Sequence, residues 1–476
     1  MPTPHEQNAS PAPPVPGLKV CHVVATAEGA RWVAEQLREL RERYGCEVLA
    51  VVGGAGGSLV EHLRAEGIPY HVENFSFSTP LGLMRAPAAV YRLARLFRRE
   101  RVDVVQSHLF FSMVIARLAA WLADVPVRLA MYASPFHLEA QTSLWIDRAT
   151  CWMESALIPS CERSVGLCRG LGVGPDRTPL IYYGPDERRF VPEQVEPAGI
   201  RAAFGWPATT PLVVMVAYFY PRLSKSRWIP KAVHNRGIKG HGDLVRAVPY
   251  VLSEYPDAKF LLIGSGWGAA GELYKREVEA LVRRMGLEEG VRFPGYRADA
   301  NRILREADVA VQASLNDNPA GTIESLLMEC PTVVTRVGGL VDTVREGETG
   351  LQANPDDPRD LARCICKMLR EPERAREMGR AGRRLMLERF TLSRTVGDLY
   401  ELYLRLRGSR TRRYYDPARA LLRALVVLPV LTYLSFRLVF IDMLLLTYVP
   451  RLLRTLRPPP APPAPRHTPA SDDSAR

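Results

Sequence analysis

The chain has 476 residues, a length that favours two domains over a single core. Hydrophobic residues make up 47% and charged residues 24%, which argues against a mostly disordered chain. Much of the net charge of +12 lies after residue 400, where 13 arginines accompany 5 acidic residues around an apolar segment. This distribution argues against nucleic-acid binding and favours contact with an anionic membrane surface.

Residues 1–17 are rich in proline and lack an apolar run, so we predict a disordered leader there and no targeting helix. The eight cysteines form no paired CxxC motif. Because no secretory signal is evident, they are expected to be reduced, buried thiols that bind no metal.

Short apolar runs alternate with amphipathic segments over residues 18–190. Strands are predicted for the runs KVCHVVAT, CEVLAVVGG, PYHVENF, VDVVQSHLF and PVRLAMYAS. The segment GARWVAEQLRELRERYG predicts a helix that ends at Gly45. Strands that are apolar throughout and separated by helices are typical of a parallel sheet covered on both faces, so residues 18–190 are predicted to form a first α/β domain.

A polar, proline-flanked linker is predicted over residues 191–210. The alternation resumes over residues 211–390, with strands predicted at PLVVMVAYF, AKFLLIGSG, VRFPG, ADVAVQAS and PTVVTRVGG. An amphipathic helix is predicted over residues 391–407. The pattern predicts an α/β fold of two doubly wound domains that face each other across a ligand-binding cleft.

Residues 408–457 form a basic and hydrophobic segment, whose centre, Ala424–Pro450, is apolar except at Arg437 and Asp442. The stretch is long enough to span a bilayer. Because both flanks are rich in arginine, we expect instead a re-entrant or in-plane attachment to the cytoplasmic side of a membrane. The alternative is a helical hairpin buried against the first domain. Residues 458–476 are expected to be disordered.

The segment SLNDNPAGTIESLLMECPTVVTRVGG, residues 314–339, begins at a strand end, where such sheets bind ligands. Glu324 is expected in the first turn of its helix, where a carboxylate either interacts with the helix dipole alone or meets a ligand. Its position favours a hydroxyl-rich ligand such as a ribose or a sugar. The pair Gly338 and Gly339 lets the backbone approach a phosphate closely.

Over residues 19–407 the chain resembles the family 4 retaining glycosyltransferases of the GT-B fold, which contain two Rossmann-like domains. The resemblance rests on motifs that occur together and in order: DVVQSHLF, IYYGPDERRF, GIKGHGDLVRA, FLLIGSG, VRFPGYRAD, ADVAVQAS and DNPAGTIESLLMECPTVVTRVGGLVDTVREGETGLQANPDDP. It implies that the first domain binds an acceptor and the second a nucleotide-sugar donor. It also implies that the helix over residues 391–407 crosses back to the first domain.

On the donor side, the resemblance implies that Glu324 contacts the nucleotide ribose and that Lys239 holds the diphosphate. It assigns further residues to the donor site: Gly264, Gly266, Tyr296, Asn318, Gly321, Thr322, Gly338, Gly339 and Leu340. Taken alone, the glycine loop at Gly264–Gly266 is as typical of close packing, and Lys239 would be a solvated surface residue.

Three departures from the family pattern affect this assignment. Asn316 stands where the family has the earlier of its two acids, so Asp317 becomes the candidate catalytic residue facing the donor sugar. The family usually has an arginine before the pair that corresponds to Lys239 and Gly240, and here it is absent. Either Arg222 or Arg236, in an insertion before that pair, would have to substitute for it. The glycine-rich turn beside the acceptor is reduced to TAEGA, whose one glycine is Gly29.

His108 ends the strand VDVVQSH and His137 follows the strand RLAMY, and both are expected to face the cleft as candidate catalytic residues. A structural role is an equally good interpretation for each. The resemblance implies an active-site histidine near His137, and Glu139 is close enough to orient it or to contact the acceptor. Asp186 in IYYGPDERRF is expected to accept hydrogen bonds from local N–H groups.

The sequence therefore indicates a retaining glycosyltransferase that moves a sugar from a nucleotide diphosphate to a hydroxyl acceptor, lipid-linked or close to a membrane. No cofactor and no metal are expected, since no DxD-type carboxylate pair follows a strand and a lysine or helix N-terminus can stabilise the leaving diphosphate. The expected location is the cytoplasmic face of a membrane. Two alternatives remain open: a sugar-nucleotide epimerase of the same fold, and a non-catalytic subunit whose donor site has decayed.

Overall fold

The computed structural model describes residues 17–76, 80–316 and 319–408, together with residues 422, 423, 425, 426 and 429. Twelve strands in this described part are β1 (Lys19–Val24), β2 (Glu47–Val52), β3 (Tyr70–Val72), β4 (Val104–His108), β5 (Val127–Tyr132), β6 (Ala156–Pro159), β7 (Leu212–Val216), β8 (Lys259–Ile263), β9 (Val291–Gly295), β10 (Val309–Gln312), β11 (Thr332–Thr335) and β12 (Leu351–Ala353).

The α-helices in the same residues are α1 (Arg31–Tyr44), α2 (Ser58–Ala65), α3 (Pro80–Arg99), α4 (Phe110–Leu122), α5 (Phe136–Glu139), α6 (Gln141–Thr150), α7 (Glu162–Arg169), α8 (Ile200–Ala203), α9 (His241–Leu252), α10 (Gly268–Arg284), α11 (Ala300–Glu306), α12 (Ala320–Leu327), α13 (Leu340–Thr343), α14 (Pro358–Arg370), α15 (Pro372–Arg389) and α16 (Leu392–Gly408). Short 3₁₀ helices lie between several of them.

The described strands form two six-stranded sheets whose neighbouring strands are all parallel. The first has the order β3-β2-β1-β4-β5-β6 and the second the order β12-β11-β10-β7-β8-β9. In each sheet the strand order reverses direction beside the first strand, which leaves a crevice at the carboxyl ends of β1 and β4 and of β7 and β10. The predicted α/β fold with two Rossmann-like sheets is confirmed.

Local sequence explains why these elements form. The residues of β4 and β5 are buried throughout, as expected for strands covered on both faces. Helix α1 buries one apolar face and ends at Gly45, whose φ of 63° and N–H bond to the Arg41 carbonyl close the last turn. The sequence reading did not identify β6, β12 or the long helices α14 and α15.

Helix α16 packs against α1 in the first domain, where the rings of Tyr44 and Tyr400 stack with centroids 4.1 Å apart. Its apolar residues belong to the core of the first sheet. The chain thus enters the first domain again after completing the second. Both sheets lie in one compact unit that extends to Val427.

All eight cysteines are buried and none forms a disulfide. Among the helices that the structure describes, none is both long and apolar enough to cross a membrane. Most of the apolar segment at residues 424–450, and the tail that follows it, lie outside the described residues.

Candidate functional site

Loops that follow four neighbouring strands of the second sheet carry most of the residues expected to bind a donor. These strands are β11, β10, β7 and β8, and their carboxyl ends share one edge of the sheet. The loop after β10 and the loop before α9 are joined directly, because the Leu315 N–H donates to the Ile238 carbonyl at 2.8 Å. The GIKG segment and the turn at residue 316 therefore form one surface.

Lys239 lies immediately before the N-terminus of α9, which spans twelve residues. Gly240 has φ of 72°, and a Cβ atom there would come 1.8 Å from the Ala313 carbonyl oxygen, so this position requires glycine. The Lys239 ammonium is half-buried and lies 5.9 Å from the centre of the Tyr220 ring. A cation close to the positive end of a helix dipole is an arrangement suited to a phosphate.

Arg222 and Arg236, the two arginines of the insertion considered as substitutes, are held by other residues. Arg222 donates to Glu277 at 2.9 and 3.0 Å and to the Asn235 carbonyl at 2.6 Å. Arg236 pairs with Asp243 at 2.8 Å and with Asp356 at 2.7 Å, and the hydrogen bond to Asp356 raises the pKa of Arg236. In this structure both side chains anchor the insertion.

Glu324 lies in the second turn of its helix, not in the first turn as predicted. Helix α12 begins at Ala320, and the Ile323 N–H already donates to the Pro319 carbonyl at 2.9 Å. Glu324 is therefore the fifth residue of the helix, beyond the first turn. The carboxylate therefore caps no free backbone N–H group.

The Glu324 carboxylate lies deep in the cleft but retains some accessible surface. Burial raises its pKa to about 7, while the nearby charges of Arg189, Glu35 and Arg31 act in opposite directions. All three of those residues belong to the first domain. A carboxylate that protein surrounds, yet water can reach, is positioned to accept hydrogen bonds from a ligand.

An aromatic edge lies beside the glycine loop after β8. Gly264 and Gly266 pack closely against the backbone of Ala217 and Glu272. Tyr296 is 63% exposed, and its ring faces the Tyr218 ring at 6.4 Å. The rings of Tyr220 and Trp267 stack nearby at 5.4 Å.

The remaining residues predicted to bind the donor differ in how accessible they are to solvent. Thr322 is fully buried and its hydroxyl has no hydrogen-bond partner among the described residues, whereas Leu340 is buried in the core. Gly321 packs on the Gln312 amide. Gly338 has φ of 49°, and Gly339 packs on Pro319 and on Cys161 of the first domain. The predicted residues Asp317 and Asn318 lie outside the described residues.

A hydrogen bond crosses the cleft at the turn after β10. The Asn316 amide donates to the Glu139 carboxylate at 2.8 Å, and Arg163 donates to the other oxygen of Glu139 at 2.9 Å. Asn316 belongs to the second domain, whereas Glu139 ends α5 of the first. The two sheets are therefore brought together at the position where the family pattern led us to expect an acid.

His137 lies on the first-domain side of this contact, in α5. Its ring stacks on Phe110 at 5.1 Å and meets Phe136 edge-on at the same distance. It is half-buried, and burial lowers its pKa to about 4. The imidazole is therefore neutral at pH 7, so one ring nitrogen can donate a hydrogen bond and the other can accept one.

The prediction that His108 faces the cleft is wrong. The ring is fully buried, with Nδ1 2.8 Å from the Tyr183 hydroxyl and Nε2 3.3 Å from His22. Trp32 covers it at 4.7 Å, and burial lowers the pKa of His108 well below its usual value. The side chain is part of a polar network under the cleft, which is the structural alternative considered for it.

Gly29 contacts the second domain directly. A Cβ atom at this position would lie 2.7 Å from the indole of Trp267, so the ring occupies the space that a side chain would need. Asp186 accepts from the Arg188 N–H at 3.2 Å and pairs with Arg38 at 2.9 Å, which confirms its structural role.

Several residues at the domain boundary were not identified from the sequence. The Asp342 carboxylate accepts from the Glu162 N–H at 2.8 Å, and burial raises the pKa of Asp342 to about 6. Arg163 and Trp228 also contribute to the cleft. The sequence signal that could have indicated residues at this boundary was the length and aromatic content of the insertion before Lys239. Within the described residues, no three His, Cys, Asp or Glu side chains converge on a point where a metal ion could bind.

Comparison with known proteins matches this architecture. The model described as glycosyl transferases group 1 matches residues 232–371, and that of a glycosyl transferase 4-like domain matches residues 28–184. Together they cover more than half of the chain.

Individual relatives have low sequence identity but match over most of their length. The putative glycosyltransferase EpsD of Bacillus subtilis is 26% identical over 362 residues, which cover 72% of this chain and 88% of EpsD. The 2-deoxystreptamine glucosyltransferase of Streptomyces kanamyceticus is 25% identical over 67% of this chain and 82% of its own. The structure of Anabaena HepE with UDP and glucose superposes with a TM-score of 0.66 at 20% identity, over 82% of this chain and 99% of HepE.

Proposed function

Because the chain belongs to the group 1 glycosyltransferases, we propose that it transfers a sugar from a nucleotide diphosphate to a hydroxyl group, with retention at the anomeric carbon. The second domain binds the donor and the first domain binds the acceptor. The observation that carries the proposal is the placement of Lys239 and Glu324 at one edge of the second sheet, where charges of the first domain surround Glu324. HepE, which shares this fold, binds UDP and glucose.

The proposed roles follow from charge and hydrogen bonding. When the glycosidic bond of the donor breaks, negative charge develops on the departing diphosphate. Lys239 and the N-terminus of α9 stabilise that charge, so the reaction needs no metal ion. Glu324 accepts hydrogen bonds from the ribose hydroxyls, since a carboxylate is a strong acceptor in a partly dehydrated cleft.

Donor binding is tested by thermal shift with UDP-, GDP- and ADP-sugars. A ligand at about 100 times its dissociation constant stabilises the protein by about 2.7 kcal/mol, which the assay detects easily. We expect Lys239→Ala to lower turnover roughly 10²- to 10³-fold, as for loss of one oxyanion-stabilising group. Lys259, at the opposite, amino-terminal end of β8, serves as the matched control when changed to alanine.

Product analysis separates the proposal from its alternatives. Transfer to an added acceptor supports a glycosyltransferase, whereas release of a C2-inverted sugar nucleotide without acceptor would support an epimerase. Turnover of Lys239→Ala within threefold of wild type would contradict the role given to this lysine. Retention is checked by the anomeric configuration of the product.

The proposal extends to the acceptor and its location. We place the acceptor on a lipid carrier or close to a membrane, with residues 408–457 attaching the protein to the cytoplasmic face. The support is the arginine-flanked apolar stretch at 424–450. At its start, Arg423 pairs with Asp124 at 2.8 Å and covers the Trp121 ring.

Truncation tests the membrane attachment. A chain ending at residue 409 is expected to lose sedimentation with vesicles containing anionic lipid, while it keeps the thermal shift with its donor. Full-length protein at high salt provides a control for purely electrostatic attachment. Unchanged vesicle binding after truncation would remove the support for this part of the proposal.

A further inference from the structure

The connection between β7 and α9 is several times longer than the usual two to six residues, and such long connections are commonly functional. We call residues 222–236 the strap. Two backbone hydrogen bonds close its base: the Leu223 N–H donates to Arg236 at 3.0 Å, and the Asn235 N–H donates to Leu223 at 2.6 Å. The ion pairs of Arg222 and Arg236 fix the same base to the second domain.

The strap is also ordered internally. His234 Nε2 lies 3.1 Å from the Ser226 carbonyl oxygen and 3.0 Å from that of Ile229. Because both partners are acceptors, Nε2 carries the proton and donates to both. Val233 is fully buried beside it. These contacts give the strap a defined shape.

The tip of the strap reaches the first domain. The Thr142 N–H donates to the Arg227 carbonyl at 3.1 Å, and the Arg227 guanidinium donates to the Gln141 side chain at 3.2 Å. The Trp228 ring packs on Phe111, with centroids 6.0 Å apart and planes inclined by 30°. A segment of the second domain thus covers the start of α4 and α6.

Trp228 completes an aromatic wall whose other rings come from the first domain. It lies 6.2 Å from Phe110, which in turn stacks on His137. Phe111, His137 and Trp228 each keep accessible surface. Polar groups border these rings, since Glu139 is two residues from His137 and Arg227 adjoins Trp228.

We propose that the strap builds the acceptor site: Trp228, together with Phe111 and His137, binds the ring of a carbohydrate acceptor beside the cross-cleft pair of Glu139 and Asn316. A pyranose has an apolar C–H face and a rim of hydroxyls, which match aromatic rings bordered by carboxylate, guanidinium and amide groups. A hydrocarbon chain has no group that could hydrogen-bond to that polar border. Acceptor choice then depends on a residue of the donor-binding domain.

The inference rests on the proposed function, so its test separates the two. Donor binding is read by thermal shift with the sugar nucleotide that stabilises the wild type most. Acceptor binding is read by saturation-transfer NMR with methyl glucoside, methyl galactoside and methyl mannoside, with octanol as the hydrocarbon probe. Transfer kinetics are then measured with the octyl form of the glycoside that binds.

Trp228→Ala is expected to raise the KM for the octyl glycoside about tenfold or more, as for loss of one stacked ring, while donor affinity stays within twofold. Trp228→Phe should recover most of the loss, because an aromatic face is retained. Trp152→Ala, a substitution of a half-exposed tryptophan packed on Trp121, is the matched control and should change neither constant.

Three results would overturn the inference. One is an acceptor KM for Trp228→Ala within twofold of wild type. Another is an equal loss of donor and acceptor affinity, which would place Trp228 at the donor site. The third is binding of octanol but of no glycoside. Failure of the wild type to bind any sugar nucleotide would instead contradict the proposed function.

Discussion

The Glu324→Gln variant is expected to bind its sugar nucleotide roughly 10- to 150-fold more weakly than wild type, since a hydrogen bond to a charged group contributes about 1.5–3 kcal/mol. The same variant is expected to be more stable than wild type at pH 8 when no ligand is present. The stability effect arises because burial raises the pKa of Glu324 from 4.5 to about 7. The cleft holds this carboxylate at a cost to stability, and in the role proposed for Glu324 the ribose hydroxyls offset that cost on binding.

The sign of the pH dependence of stability follows from the pKa of Glu324 in the unfolded chain and in the folded chain. Between pH 4.5 and about 7 the unfolded chain has released the Glu324 proton, whereas the folded chain still holds it. Rising pH therefore destabilises the folded state over this window, and the penalty is complete above about pH 7. The glutamine variant lacks the penalty and should gain roughly 1–3 kcal/mol at pH 8, allowing for solvent at the cleft. Below pH 4.5 the two proteins should be equally stable.

Denaturant titrations at pH 4.5, 6 and 8 and donor titrations at pH 6 and 8 measure these effects. Wild-type donor affinity should fall as the pH drops below about 7, because the protonated carboxyl is a poorer acceptor. Glu61→Gln, an exposed substitution in the first turn of α2, is the control. The role assigned to this carboxylate would be contradicted if Glu324→Gln bound the donor as tightly as wild type does. It would also be contradicted if the stability of the variant changed with pH as that of the wild type does.

The local pattern of apolar residues predicted most strands of both sheets, because a strand covered on both faces is apolar along its whole length. The same pattern was less successful at predicting where helices and strands begin and end. Glu324 was expected in the first turn of its helix, but the helix begins at Ala320 and the carboxylate lies in the second turn. Short edge strands such as β12 have too few residues to produce a recognisable period.

Contacts between distant segments explain the other differences. His108 does end a strand at the cleft edge of the sheet, as predicted, yet Trp32, Tyr183 and the network around Tyr403 bury it. Those partners come from α1, from the chain after β6 and from α16, so no local signal could reveal the burial. The strap was identified from the sequence as an insertion, but its crossing to Thr142 depends on tertiary structure alone.

A buried ion cluster in the first domain gives the largest expected effect on stability. Arg117 is fully buried in α4 and donates to Asp147 at 2.9 Å, to Glu154 at 3.0 Å and to the Thr150 hydroxyl at 2.6 Å. Burial raises the pKa of both carboxyl groups even with the guanidinium between them. The cluster joins α4 to α6 and to the chain before β6, and α4 also carries Phe110 and Phe111 of the aromatic wall.

Arg117→Met is expected to lower the free energy of unfolding by about 3–5 kcal/mol, because it leaves two buried carboxylates without their counter-ion. The deficit should be smaller at pH 5 than at pH 8, since protonation neutralises the stranded carboxyl groups and the unfolded chain ionises first as the pH rises. Denaturant titration at both pH values measures this deficit, with Arg148→Met on the exposed face of α6 as the control.

Adding Asp147→Leu and Glu154→Met to Arg117→Met should recover most of the lost stability, because an apolar cluster replaces the ionic one. A single variant as stable as wild type at pH 8, or a triple variant no better than the single one, would show that these charges do not support the fold as described.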